Sequence, residues 1–159
     1  MWMNAQYVYI SSGADIRNGI FGSNATDKKP EFDLMFKFGM VGNNIEVVAG
    51  YEEFSRLDFK KYFLGVGYQI ELNKSFMVIP MIEPTLIDRN GDWGGGLSGN
   101  NKSGHLSIGF SIPVRYTISD KISLEIQPNA LLRTDDMAKY GGNTKIVVSN
   151  YLNVIYKLN

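Results

Sequence analysis

The chain has no cysteine among its 159 residues. That excludes disulfides, thiolate nucleophiles and Cys-based metal sites, and leaves the compartment open. An excess of one charge sign is also missing. Lys plus Arg is 16 and Asp plus Glu is 16, so no overall charge draws the chain to nucleic acid or to an anionic surface. Histidine occurs once, as His105. Apolar runs are interrupted so often that none approaches the ~18–20 residues of a transmembrane helix. Convincing helical periodicity, phosphate-binding loops, dinucleotide fingerprints and basic nucleic-acid patches are absent as well.

What is present is glycine and aromatics: 17 Gly, 9 Tyr and 9 Phe, a composition of short strands and turns. Strict alternation runs through most of the chain. Phe32, Leu34, Phe36, Phe38 and Met40 share one face, opposite Glu31, Asp33, Met35, Lys37 and Gly39. The turn signal Gly42-Asn43-Asn44 follows, and the apolar face resumes at Ile45, Val47, Ala49 and Tyr51. Tyr62, Leu64, Val66, Tyr68, Ile70 and Leu72 alternate with Lys61, Phe63, Gly65, Gly67, Gln69 and Glu71. Further alternating segments run from Phe76 to Thr85, from His105 to Tyr116 and from Ile122 to Arg133. A first strand near Gln6 to Ala14 and a last one from about Thr144 to Leu158 complete a set of eight.

The connections are expected to be long after strands one, three, five and seven, and short after two, four and six. An even number of antiparallel strands with short turns at one end and long loops at the other is the layout of a transmembrane barrel. The expectation is therefore an all-β, eight-stranded antiparallel up-and-down barrel occupying residues 1–159 as one domain. Met1 to Ala5 read like the end of a signal peptide, with a mature start near Gln6. Pro80, Pro84, Pro113 and Pro128 fall in proposed strands, and a closed barrel has no edge to hide a missing donor, so strand ends or bulges are expected there.

Alternation alone does not say which face looks outward; a soluble lipocalin-like barrel would put the apolar face inside. Residue size decides for the opposite arrangement. The polar faces carry Gly39, Gly50, Gly65, Gly67, Ser107, Gly109 and Ser111, which suit a lumen only just wide enough for side chains. They also carry Lys37, Lys61, Arg115 and Arg133 against Glu46, Glu52, Glu71, Glu83 and Glu125, opposite charges able to pair in a confined interior. Aromatics are expected in two outward bands: Tyr7 or Tyr9, Phe38, Phe76, Tyr116 and Tyr156 near the short turns, and Phe32, Tyr51 and Tyr62 near the loops.

Tyr62-Phe63-Leu64-Gly65-Val66-Gly67-Tyr68 and the closing Tyr151-Leu152-Asn153-Val154-Ile155-Tyr156-Lys157-Leu158-Asn159 carry a resemblance. With the strand layout, they make nearly the whole chain similar to small eight-stranded outer-membrane proteins of the OmpX and OmpA-transmembrane-domain type, and to the outer-membrane β-barrel family of Bacteroidota. The resemblance implies a bacterial outer-membrane location and contact with outer-membrane lipid; the strand and loop layout, with a lumen too small for transport, points to a non-enzymatic barrel whose extracellular loops mediate interaction, adhesion or assembly into an envelope complex. Where many such barrels end on an aromatic, this chain ends on Asn159, which moves the expected assembly signal to Tyr156.

Three local patterns bear on chemistry. His105 and Ser107, two residues apart on one strand face, resemble the His-x-Ser pair of lipid A deacylases, in which a His base activates a Ser nucleophile; Ile108 stands where that family has Asn. A polar interior residue is the reading preferred for His105. Asp88-Arg89-Asn90-Gly91-Asp92 opens like a calcium loop, but Trp93 takes the place of the expected Gly and Gly99 that of the bidentate acid, so neither metal nor cofactor is expected. The same segment is the strongest candidate for recognition. Trp93, between Asp88, Asp92 and a run of glycines, is expected to anchor a protein or glycan partner.

Overall fold

Asn43 and Asn44 both take positive φ, 52° and 62°, the two left-handed residues of a type I′ hairpin turn. Around this turn β2 (Leu34–Gly42) pairs antiparallel with β3 (Ile45–Phe54), and the pairing pattern repeats around the molecule. The computed structural model describes residues 6–21, 30–55, 59–89, 104–132 and 146–158. β1 is Tyr7–Asp15. β4 comprises Phe59–Tyr68 and Ile70–Glu71, β5 Phe76–Val78 and Met81–Arg89, and β6 His105–Ser111 and Val114–Thr117. β7 is Ile122–Leu132 and β8 Ile146–Lys157. Each strand pairs antiparallel with the next, and β8 pairs with β1 from Tyr9↔Lys157 to Asp15↔Tyr151. The sheet is closed: an eight-stranded antiparallel barrel with no free edge.

Local chemistry sets the turns. Asn73 Oδ1 accepts from the backbone N–H groups of Ser75 and Phe76, an Asx turn closing β4 onto β5. Ser119 Oγ accepts from Ile122 N between β6 and β7. The connection after β3 departs from expectation. It spans only residues 55–58, because the β3–β4 ladder holds out to Phe54↔Phe59. A second departure is α1 (Ile16–Phe21), a short helix inside the first loop. The Asp15 carboxylate caps it by accepting from Asn18 N at 2.8 Å, as N-cap acids do.

Pro80 and Pro113 fall, as expected, at strand ends, in the short breaks between Val78 and Met81 and between Ser111 and Val114, but neither makes a bulge. The β5–β6 register is the same on both sides of Pro80 and Pro113, from Phe76↔Tyr116 to Met81↔Ser111. Pro84 and Pro128 lie within strands. Each of three prolines instead keeps its carbonyl bonded: Tyr68 N donates to Pro80 O, Ile79 N to Pro113 O and Ile112 N to Pro128 O. The cost is one missing donor per proline, while the barrel stays in register.

The apolar face is outside. Leu64, Val66, Phe36, Phe110, Ile126 and Val154 are exposed, whereas Lys37, Glu46, Lys61, Glu83, Arg115 and Glu125 are buried in the interior. A lipocalin-like arrangement with an apolar interior is thereby overturned. From Tyr62 to Ile70 the outward residues of β4 cover eight residue steps; at ~3.3 Å per residue and a tilt of ~45° this is a band ~19 Å tall, most of the ~25 Å of a membrane barrel. Aromatic pairs mark both margins: Phe76 against Tyr116 at 4.8 Å on the turn side, Tyr51 against Tyr62 at 5.2 Å on the loop side. Beyond Tyr51 and Tyr62 the outward positions become Glu53, Lys60 and Asp88, aligned across β3, β4 and β5.

Candidate functional site

In a strand of period two, the residues that alternate with the outward belt have only the barrel interior to enter. Charges placed there must find partners. They meet in one network. Arg115 of β6 reaches across to β3, donating from Nη1 and Nη2 to the two carboxylate oxygens of Glu46 at 3.0 and 2.8 Å. It also donates from Nε and Nη2 to Glu125 Oε2 of neighbouring β7 at 3.0 and 2.7 Å. Lys37 of β2 pairs with the other oxygen of Glu125 and donates to Gln127 Oε1 at 2.8 Å. Tyr9 donates its hydroxyl to Glu46, and Gln69 donates to the same carboxylate at 2.7 Å. Asn153 bridges Glu125 and Gln127.

Gln127 carries the network to Glu83, whose carboxylate accepts from Gln127 at 3.0 Å, from Asn129 at 2.7 Å and from Ser111. Glu83 is fully buried, and among the described residues its hydrogen-bond donors are all neutral. Small residues on adjacent strands make room. Gly109 lies beside Glu83, and the Gly39 Cα faces the Tyr9 ring so closely that a Cβ there would stand 2.2 Å from Tyr9 Cζ. Met35, Val48, Phe63, Ile79 and Ile155 fill the remaining interior.

Toward the loops the composition changes. Lys61 pairs with Glu52, and Tyr151 donates to Asp33 Oδ2 at 3.4 Å. Asn18 of α1 donates to the same oxygen at 3.3 Å, and Asp15 accepts from Asn150 N at 3.3 Å. Asp33 lies one residue before β2, outside the strand, and its Oδ1 is buried with no hydrogen-bond partner. Burial, then the charges of Glu52 and Asp15, push its carboxyl up to about 8, as expected for an acid desolvated beside like charges. The turn-side network balances Lys37 and Arg115 against Glu46 and Glu125. Among the described side chains, the loop-side interior sets Asp15, Asp33, Glu52 and Glu83 against one buried cation, Lys61.

Of the residues singled out by sequence for the interior, the structure brings Lys37, Glu46, Glu83, Arg115 and Glu125 into the network and places Glu52 with Lys61 nearer the loops. Glu71 is a correction: it is exposed at the end of β4, past Gln69, where the strand leaves for the turn and water solvates its charge. Arg133, Asp92 and Trp93 lie outside the described residues, as do Met1 to Ala5; Asp88 is half-buried on β5, opposite Lys60. His105 and Ser107 sit on the interior side of β6, opposite Ile87 and Thr85. Ser107 Oγ is buried and without a hydrogen-bond partner, so the two do not form a His–Ser couple here. Tyr7 or Tyr9 was expected in the outward band; both face inward, Tyr9 fully buried with its hydroxyl on Glu46 and Tyr7 half-buried, accepting from Gln69 at 2.9 Å and Arg115 at 3.3 Å. Gln69, Gln127, Asn129 and Asn153 complete the network unassigned by sequence, although their alternation with outward Tyr68, Ile126, Pro128 and Leu152 is the signal that finds them.

A closed eight-stranded barrel with a paired polar interior and an apolar exterior is now in view. The fold is that of a small outer-membrane β-barrel. No family model matches the chain, and no curated protein matches it in sequence. Solved structures do. The barrel is similar to the Yersinia pestis outer membrane protein Ail in a phospholipid bilayer nanodisc, at 14% identity and a TM-score of 0.58, covering 96% of this chain and 99% of that one. Neisserial surface protein A matches at 16% identity and a TM-score of 0.54, over 97% of both chains. The de novo designed TMB2.3 matches at 12% identity and a TM-score of 0.55, covering 100% of this chain and 99% of that one. At these identities the likeness is one of fold.

Proposed function

We propose that this chain is an integral protein of a bacterial outer membrane that works without enzymatic chemistry, its loops mediating interaction, adhesion or assembly into an envelope complex. One observation carries the membrane reading: large apolar side chains are exposed all around the barrel while charged ones are sealed inside it. Water would reject that exterior; lipid accepts it. The packed interior argues against a transport role, since Arg115, Tyr9, Tyr151 and Met35 are shut off from solvent. Recognition then falls to the connections between strands, with Asp88 at the end of β5 and Asp92 and Trp93 in the sequence that follows it as candidates for a protein or glycan partner.

The test is fractionation followed by electrophoresis of unboiled and boiled samples. Recovery in the outer-membrane fraction with a heat-dependent mobility shift supports the membrane reading; solubility without detergent overturns it. For the loops, deletion of residues 90–103 from the intact barrel is expected to abolish partner binding and any adhesion phenotype, and full retention of both would end the recognition reading. An unchanged lipid A acyl pattern in a His105→Ala strain is the expected result; a changed one would make the barrel an enzyme.

A further inference from the structure

The outward belt is uneven. Along β1 it thins from Val8 and Ile10 to Ser12 and Ala14, which are small or polar. On adjoining β8 the next outward residue toward the loops from Leu152 is Asn150. Apolar cover therefore dips where β1 ends, at Ser12, Ala14 and Asn150, before resuming on β8 at Val148 and Ile146.

At the end of β1 the chain turns into α1. The helix is fixed in position rather than trailing: Asp15 caps it and also accepts from the β8 backbone. Asn18 donates to Asp33, and its carbonyl accepts from Glu31 N at 3.1 Å. Asn18 thus faces the interior rim. Ile16 and Ile20, one turn apart, lie on the side of the helix away from it. Ile20 is 59% exposed and Phe21 69%.

Phe32 connects the helix to the belt. The register continues one step past β2, with Asp15 N donating to Asp33 O, so Asp33 turns inward and Phe32 outward, extending the column of Leu34, Phe36 and Phe38. Phe32 is 72% exposed. A Cβ on Gly19 of α1 would lie 3.9 Å from its ring. Helix and ring thus form one apolar surface continuous with the belt.

We propose that α1 is an interfacial element that, with Phe32, completes the hydrophobic girdle above β1 and seats Ile20 and Phe21 in the acyl and headgroup boundary of the leaflet on the loop side. This rests on the membrane reading above. The occupant is lipid, because Phe32 carries the lipid-facing column of Leu34, Phe36 and Phe38 up to Gly19 of α1, and exposed Arg17 beside Ile20 has a long stem able to hold its charge at the headgroups. Exposed apolar side chains on a short helix at that depth gain from burial in the boundary region.

The absence of cysteine makes the test direct. Single substitutions Ile20→Cys, Phe21→Cys and Phe32→Cys, each labelled with a nitroxide, are reconstituted in dioleoylphosphatidylcholine vesicles. Collision with oxygen, which concentrates in lipid, is compared with collision with a water-soluble nickel chelate. Leu64→Cys in the belt and Lys121→Cys in a turn serve as lipid and water references, and a heat-dependent gel shift confirms that each variant is folded. Oxygen-dominated collision at Ile20 and Phe21, as at Leu64, is the expected result. Nickel-dominated collision at either, with Leu64 still oxygen-dominated, overturns the proposal and leaves the membrane reading standing. Nickel-dominated collision at Leu64 itself overturns both.

Discussion

Phe63 occupies the space that any side chain at Gly50 would need: a Cβ at position 50 would stand 2.1 Å from Phe63 Cζ. The two residues face each other across the β3–β4 ladder. Gly50→Ala is therefore expected to destabilise the barrel by ~1–3 kcal/mol, the usual cost of overpacking. Adding Phe63→Leu should recover part of the loss, making the double variant milder than the sum of the singles. Urea unfolding in lipid vesicles measures this, and strict additivity would show that the two sites do not share that volume.

Arg115 holds two carboxylates at once. Arg115→Met leaves Glu46 and Glu125 facing each other with Lys37 as the remaining cation of the network. A loss of ~3–5 kcal/mol is expected, the penalty for stranding a buried charge. Arg115→Met combined with Glu46→Gln removes one charge of each sign and should be less damaging than Arg115→Met alone. Equal unfolding midpoints for the two would remove Glu46 as its principal partner.

The outward face makes its own prediction. Leu64 is 62% exposed in the middle of the belt. Leu64→Arg should cost ~2–4 kcal/mol in a bilayer, as expected for a cation at mid-membrane depth. Lys121→Glu, in a turn, should be nearly neutral. Folding yields in vesicles compare the two, and a neutral Leu64→Arg would place that face in water.

Asp33 couples stability to pH. Its folded-state carboxyl is raised to about 8 from an ordinary value of 3.8, so between those values the folded protein holds a proton that the unfolded chain releases. The favourable contribution is complete below the ordinary value, declines as pH rises through the window, and is gone above about 8. Asp15, Glu52, Lys61 and Tyr151 surround the group and shape the curve. Asp33→Asn, permanently neutral, should flatten this dependence and exceed the parent in stability at pH 9. Unfolding midpoints at pH 5, 7 and 9 read the difference; parallel profiles would locate the titration elsewhere.

Much of the barrel was legible because alternation is a local property. Lys37, Gly39 and Val41 had to share a face whatever they packed against, and glycines on that face argued that it was the inner one. Tyr9 was misplaced because nothing within β1 tells an inward tyrosine from an outward one. The deciding residue, Gly39, lies on the neighbouring strand and enters only once pairing is known. α1 was missed because six residues are too few for a helical period to register, although Asp15 before Ile16 is an N-cap signal. Glu71 kept the parity of its strand but ran past the end of the interior. The interior pairings were the least legible: Arg115 and Glu46 are 69 residues apart, and only closure of the sheet brings them together.

The alternation that aims apolar residues at lipid has a second effect before the barrel exists. In the unfolded chain every window of the length that a helical anchor needs is interrupted by at least four charged, amide or glycine residues. Such a window is too polar to lodge in a bilayer as a helix. A protein bound for an outer membrane can thus be threaded across the inner one without being arrested there. Its greasy surface comes into being only when strands pair, so hydrophobicity is stored in the fold and withheld from the linear chain.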